Sequence, residues 1–422
     1  MNVLTLAEEF SRDLGLSPAA LATKAEAFAF LKSNGLPQRH LEDWHYTSTK
    51  ALAATDFVAY TEIEKTLTSG WAAHAATAKW PNAINLFFVN DVFLSSQSDK
   101  HAGLTVKTVD AENKGPSPTS TYDGLQALSD IFQRFTTTLE INLVLPKPIV
   151  IHVFSENSNE KPSLCSVVWH LKLGPSAKAD VLIQHNGVSG EHHFQMSQLT
   201  VDAAEHAELK LLDTRDSKKS HSWFSQTHLK LQTDAIVQAW QFFGGGGWFR
   251  NNVSAELLGE RANVHLQGLS YCRDQAHCDH FINIVHSAGD TRSTQKYKGI
   301  LDDGAKTIFT GKIRIQHQAQ KSAAEQLAKF LQLDDKSEFN ARPILEIYAD
   351  DVKASHGAST GFLDPEELFY LRSRGLSGPT AEKLLKEAFL ADLLEAAPVG
   401  VLQSHIRSRL HSYFAASEGG PR

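Results

Sequence analysis

The sequence predicts a mainly β chain wound as a β-solenoid, with helical segments at both ends. Two observations carry this. From about Ile84 the chain is a succession of strand-length runs rich in Val, Ile, Leu and Phe, among them KPIVIHVF, SVVWHLKLG, DVLIQHNG, ELKLLD, NVHLQGLSY and ILEIYAD. No helical period interrupts them before Ala323, and the long βα units of a doubly wound sheet are missing. A small residue also precedes an alternating run at Ala179, Ala207, Ala235 and Ala262, at spacings of 28, 28 and 27 residues. That period falls within the range of repeat architectures. The next candidate, Ala305, lies 43 residues further on and breaks the count. A β-sandwich is the competing reading.

The elements follow in three blocks: a helical arm over 1–83, a β core over 84–358 and a helical module over 359–422. In the arm, Ser17 and Pro18 suit an N-cap and first helical residue. AALATKAEAFAFLK propagates the helix, and Asn34–Gly35 supplies a left-handed stop. GLPQRHLEDWHYTS is too short for a domain, and its Trp44 and Tyr46 are expected to pin the arm onto another surface. In the module, Asp364 can cap, Pro365 fits the first helical position and Glu367 gives a capping-box-like pattern. Arg372 and Arg374 suit the negative end of that helix, which Gly375 closes. A second helix is expected from near Pro379 to Pro398, burying Leu385, Ala388, Phe389 and Leu393. A third runs over roughly Val401 to Phe414, and the SEGGPR tail reads as frayed.

Bulk properties exclude several classes. The chain has 422 residues, with 41 Lys and Arg against 48 Asp and Glu. It carries no basic block for a phosphate backbone, so no nucleic-acid partner is expected. The most apolar run, INLVLPKPIVIHVF, is broken by Pro146, Lys147 and Pro148, so no membrane span is expected. The N-terminus is acidic and amphipathic rather than a secretory signal. Three cysteines, Cys165, Cys272 and Cys278, form no CxxC pair, which suits a reducing cytosol.

The candidate chemistry is sparse. Gly244 to Gly247 are followed by neither Lys-Ser/Thr nor a helix, so they read as a corner and not as a P-loop. CRDQAHCDH gathers Cys272, Cys278 and His280, but its spacing is not that of a zinc site, and buried packing on one strand face is preferred. A simple zinc protein built on Cys272 and Cys278 stays as an alternative. A carbohydrate-active β-helix enzyme of the polysaccharide-lyase kind is another, although no grouped acid, base and calcium ligands are evident. Most of the 20 histidines are expected at the surface or at corners. The stretch PILEIYADDVKASHGASTGFLDPEELFYLRSRG places Asp350, Asp351 and His356 where a strand gives way to a helix. Imidazole suits iron, zinc or copper, but the spacing by itself favours a turn at all three positions.

Several of these segments together resemble the SufB/SufD family of iron–sulfur cluster assembly proteins. They are ILEIYADDVKASHGASTG with EELFYLRSRG, GLPQRHLEDWHYTS, Arg250-Asn251 after the glycine tetrad, and KGILDDGAKTIFTGKIRIQHQAQKSAAEQ. The likeness spans about residues 35 to 395 and leans to the SufD branch, because no cysteine lies near the C-terminal strands. The resemblance implies a right-handed parallel β-helix and a non-catalytic scaffold. It also implies pairing with a SufB-like paralogue through the β-helix, and docking of a SufC-like ABC ATPase on the C-terminal module. It implies further that a nascent Fe–S cluster, or iron, is held transiently at the paralogue interface and not tightly by this chain alone. His356 is the residue it implicates there. For the ATPase contact the candidates are Leu368, Phe369, Tyr370, Leu371, Arg372 and Arg374. A homodimer in the absence of the paralogue is a further expectation. Some relatives carry a cysteine where this chain has Ala354. The family match turns His356 from a turn residue into a candidate ligand and leaves Asp350 and Asp351 as corner formers.

Overall fold

The structure, a computed structural model, describes residues 2–12, 18–59, 75–110, 122–155, 161–187, 193–217, 220–396 and 401–416. The strands, in order, are β1 (Val58–Ala59), β2 (Ile84–Val89), β3 (Val92–Phe93), β4 (Leu104–Asp110), β5 (Phe135–Ile141), β6 (Ile149–Ser155), β7 (Ser163–Leu173), β8 (Lys178–Gly187), β9 (His193–Ala203) and β10 (Glu208–Ser217). They continue as β11 (His221–Leu231), β12 (Ile236–Gly245), β13 (Trp248–Leu257), β14 (Asn263–Cys272), β15 (His277–His286), β16 (Arg292–Leu301), β17 (Lys306–Ile315), β18 (Ala323–Gln332), β19 (Glu338–Ile347) and β20 (Lys353–Phe362). From β5 onward successive strands alternate between two sheets, and from β7 onward each pairs in parallel with the strand two before it. This is a parallel β-solenoid, as the repeat predicts. The antiparallel strands β3 and β4 close the start of the two sheets, whereas β19 and β20 are last in theirs.

The corners explain the rhythm and correct its phase. Ser176, His206, Asp234, Arg261, Asp290 and Lys321 all have φ near +60°, and each stands two residues before an even-numbered strand. Their amides bond from rung to rung, His206 to the Thr233 carbonyl at 3.0 Å and Asp234 to that of Glu260 at 3.0 Å. A left-handed residue turns the chain there, and the small residue after it enters the crowded lumen. Ala207 is therefore equivalent to Ala177, not to Ala179, which pairs with Leu209. Ala305 breaks the count because it precedes β17, in the other sheet.

Three further expectations fail for physical reasons. AAEQLAKFLQ, where a helical period was expected to begin, is strand β18: Ala324, Gln326, Ala328 and Phe330 alternate inward, so ladder and lumen override alanine's helical preference. A helix sits within the β block at Gly124–Phe132, capped by Asp123, whose carboxylate accepts from the Leu125 and Gln126 amides. Histidines are not mostly at the surface. His152, His170, His185, His193, His221, His280, His286 and His405 are all buried, several because alternation turns them into the lumen.

The outer faces are covered by the helical ends. The Val3–Phe10, Pro18–Asn34 and Gly124–Phe132 helices bury Leu6, Phe10, Leu31 and Leu128 around Leu164, Phe194 and Phe224 of one sheet. The Gly378–Glu395 and Val401–Ala416 helices bury Leu390, Leu393, Ile406 and Leu410 against Leu182, Leu212, Leu269 and Ile300 of the other. The buried stripe of the former is Lys386, Leu390, Leu393 and Leu394, so Leu385 and Phe389 are half-buried and Ala388 is exposed. The expected Ser17 cap, the Pro398 stop and the tail lie outside the described residues. Strand pairing begins at Val58–Ala59 and ends at Phe362, wider at both ends than 84–358.

Candidate functional site

The last rung is unlike the others. Strands β7 to β18 have neighbours on both sides, and each buries a large part of its length. β19 and β20 each offer one unpaired edge, and no residue of either is buried. Ile347, Tyr348 and Phe362 expose large apolar side chains there. β19 carries Pro343, a residue that blunts an edge. β20, KASHGASTGF, has no proline and one lysine.

His356 lies within β20 and not in a turn, because the strand starts at Lys353. It pairs in register with Gln326, which faces the lumen and is 1% exposed. His356 therefore belongs to the lumen-facing row, at the mouth of the solenoid, and its ring is exposed. Ala354, two residues earlier on the same row, packs over the Ala324 and Ile313 cluster. Asp350 and Asp351 occupy the preceding corner. The Lys321 amide donates to the Asp351 carbonyl at 2.6 Å, and the Asp351 amide donates to Gln320 Oε1 at 3.0 Å.

The Pro365–Ser373 helix follows directly. Asp364 caps it by accepting from the Glu366 amide at 2.8 Å, and Gly375, at φ 93°, ends it. None of its residues is buried. Leu368 and Leu371 are half-buried, whereas Phe369, Tyr370, Arg372 and Arg374 are exposed, Phe369 to 74%. The Arg374 guanidinium stacks on the Tyr370 ring at 5.1 Å.

The other motifs resolve into packing. Cys272 and Cys278 are not on one strand face. They flank a corner, on β14 and β15, and both enter the lumen. Cys278 Sγ lies 3.3 Å from His280 Nε2, and Thr307 donates to Cys272 Sγ at 3.6 Å. Burial pushes the Cys278 thiol well up and His280 down to about 4, so both stay neutral. Among the described residues no three His, Cys, Asp or Glu side chains are arranged to hold a metal ion. A cleft of about 410 Å³ borders Glu140, Lys172, Asp202 and Lys230. These stand in register on adjacent strands with alternating charge, and Asp202 is tied to His170 Nε2 at 2.6 Å. Lysines separate its carboxylates, so no acid–base pair forms there.

Two features escaped sequence reasoning. Gln295 and Gln326 stand behind His356 in the lumen, hidden in runs whose alternation did not show until the strands were known. The second is a clasp joining the arm to the solenoid. Trp44 donates to Asp123 Oδ2 at 3.1 Å and lies 4.4 Å from the Arg250 guanidinium. Arg250 pairs with buried Asp279, which also accepts from Thr47. The sequence showed both halves of this clasp, GLPQRHLEDWHYTS and Arg250-Asn251, without their contact. Tyr46, the other expected pin, is half-buried, with Lys306 6.0 Å from its ring.

Comparison with known proteins gives these features a family. Residues 155–389 match the family described as SUF system FeS cluster assembly, SufBD core domain. The chain is 28% identical over 391 residues to the iron-sulfur cluster assembly protein SufD of Escherichia coli (strain K12), covering 90% of each chain. It is 26% identical over 432 residues to an iron-sulfur cluster assembly SufBD family protein of Synechocystis sp., covering 93% of this chain and 91% of that one. A 116-residue stretch, 28% of this chain and 26% of the other, is 44% identical to SufD of Bacillus subtilis (strain 168). The chain belongs to the SufB/SufD family of the SUF iron–sulfur cluster assembly system and within it is most like SufD.

Proposed function

We propose that this chain is a non-catalytic scaffold subunit of a SufB–SufC–SufD-type complex. The open last rung carries this reading. An unpaired parallel edge, exposed apolar side chains and one exposed imidazole coincide at the mouth of the solenoid. A SufB-like paralogue would cover that rung by pairing with β20 and burying Ile347, Tyr348 and Phe362. His356 would then offer an exchangeable nitrogen ligand to iron of a nascent cluster, which is cargo and leaves with the acceptor. The chain contributes no thiolate there, since Ala354 fills the adjacent lumen-facing position and Cys165, Cys272 and Cys278 are buried. The paralogue would supply it.

ATP hydrolysis is assigned to a SufC-like partner. Gly244–Gly247 span the corner between β12 and β13 with no helix after them, so they offer no phosphate cradle. The docking face for that ATPase is Phe369, Tyr370, Arg372 and Arg374, with Leu368 and Leu371 holding the helix to its own module. A cytosolic location and no nucleic-acid or membrane partner belong to the same reading. No described helix is long and apolar enough to cross a membrane.

Anaerobic co-expression with SufB-like and SufC-like partners tests the assignment. The expected result is a three-component complex whose iron and sulfide fall in His356→Ala while the subunit ratio holds. Normal iron and sulfide in that variant would remove His356 from the site. Failure to recover any complex would remove the scaffold reading.

A further inference from the structure

The lumen column that ends at His356 changes character along its length. In register it runs Val181, Leu211, Ala239, Leu266, Gln295, Gln326, His356. Four apolar residues give way to two buried amides and then the imidazole. Burying an amide in a solenoid lumen is unfavourable unless its polar atoms find partners.

The Gln326 amide is held on one side only. Its Nε2 donates to the Gly311 carbonyl at 3.2 Å, which settles its orientation, while its Oε1 has no partner among the described residues. Gln326 is 1% exposed, so water does not reach it freely. Room for it exists because position 311 is glycine: a Cβ there would lie 1.9 Å from Gln326 Nε2 and 2.8 Å from Gln295 Oε1. The lumen thus keeps a buried, oriented amide with one vacant acceptor, one rung below His356. Adjacent rungs are about 4.8 Å apart, within reach of an imidazole rotating inward over its neighbour.

We propose that Gln326 is the positioning residue for His356: its Oε1 accepts a ring N–H, fixes the tautomer and leaves the other nitrogen free to face the partner. Ligating histidines commonly hold their second nitrogen on a carbonyl or carboxylate in this way. Gly311 is the second part of the device, because it lets the amide lie where the ring can find it. The relevance of the contact to cluster assembly rests on His356 being a cluster ligand. The contact itself does not.

The test uses the full chain without partners, labelled with 15N in its histidine rings, at a pH where the rings are neutral. One tautomer of His356 is expected to dominate, with a cross-peak between its ring protons and the Gln326 side-chain amide. Gln326→Met keeps the volume and removes the acceptor. It is expected to shift the tautomer ratio about fivefold, as the loss of one net hydrogen bond would. Gly311→Ala is expected to act in the same direction by displacing the amide. No cross-peak in the unsubstituted chain, or an unchanged ratio in a folded Gln326→Met, overturns the proposal. Cluster content of the complex separates the two readings. If Gln326→Met alters the tautomer while His356→Ala leaves iron and sulfide unchanged, the contact stands and the ligand role falls.

Discussion

The Arg250 guanidinium carbon lies over the ring of Trp44 of the N-terminal arm, 4.4 Å from the ring centre, on the outer face of β13. Phe281 lies 5.0 Å from the same guanidinium. Arg250 also donates to Asn252 Oδ1 at 2.7 Å and to Asp279, with both members of the ion pair 2% exposed. A charge pair this dry contributes little relative to an apolar pair, but losing one member strands the other.

Arg250→Met should therefore destabilise the chain by about 3 kcal/mol, because among the described residues Asp279 would keep Thr47 alone as a donor and a buried carboxylate needs more than one. Urea denaturation should show the loss, and amide exchange should localise it to residues 36–54. A loss below about 1 kcal/mol, the scale of an exposed ion pair, would mean that water reaches the clasp.

The glycine tetrad yields a second expectation. Gly245 and Gly247 have φ of 106° and 93°, which the corner requires. Gly244 serves another purpose: a Cβ on it would lie 2.4 Å from Tyr413 Cζ and Oη. Tyr413 donates to Asp216, which also pairs with Arg409, so the Val401–Ala416 helix docks through this point. Gly244→Ala should push the ring away at a cost of about 1–3 kcal/mol. Exchange of the 401–416 amides should rise while β12 stays protected. Unchanged exchange there would show that the helix is held elsewhere.

The buried histidines predict an acid-sensitive fold. Desolvation lowers His152, His185, His280 and His286 to about 4 and His193 to about 3, against about 6.5 in the unfolded chain. Between about pH 6.5 and 4 the unfolded state binds more protons, so stability falls as the pH falls. Each ring contributes up to about 1.4 kcal/mol per pH unit in that window. Asp123, pushed up by burial, opposes this as a single group. The urea midpoint at pH 5 should lie clearly below that at pH 7.5, and equal midpoints would mean the rings titrate as if exposed.

Much of this was legible because a parallel solenoid writes itself locally. Helix starts at Pro18 and at Asp364-Pro365, Gly35 and Gly375 stops and the strand-length runs are all short-range signals, and the helices over 18–34 and 365–373 stand as the spacing predicts. What failed needed long-range knowledge. AAEQLAKFLQ becomes a strand only because β16 waits beside it. Ala305 misled because strands two apart in the chain, not consecutive ones, share a sheet, and Ala179 because it lies two residues beyond the corner position that Ala177 fills. His356 could not be read as strand-borne and lumen-facing from Ser-His-Gly alone, and the link between Trp44 and Arg250 spans chemistry that no local window contains.

The two exposed surfaces at the end of the chain should separate by mutation. The β20 edge with His356 and the helix with Phe369 and Tyr370 are consecutive in sequence, yet their side chains belong to different elements with different neighbours. Phe369 and Tyr370, 74% and 54% exposed, suit partner anchors, since aromatic truncation at an interface centre removes more binding free energy than loss of peripheral contacts. Phe369→Ser with Tyr370→Ser should weaken binding of the SufC-like ATPase at least about tenfold, or 1.4 kcal/mol, and leave pairing with the SufB-like chain intact. Ala358→Pro in β20 should do the reverse: the Lys353 amide bonds to Ser322 of the neighbouring rung, so even-numbered residues point their amides to the free edge, and proline there removes one of them and stiffens the strand. Calorimetric or interferometric titration of the purified chain with each partner reads both effects. If either substitution weakens both partners equally, the end of the solenoid and the helix act as one surface, and the assignment of one partner to each must be given up.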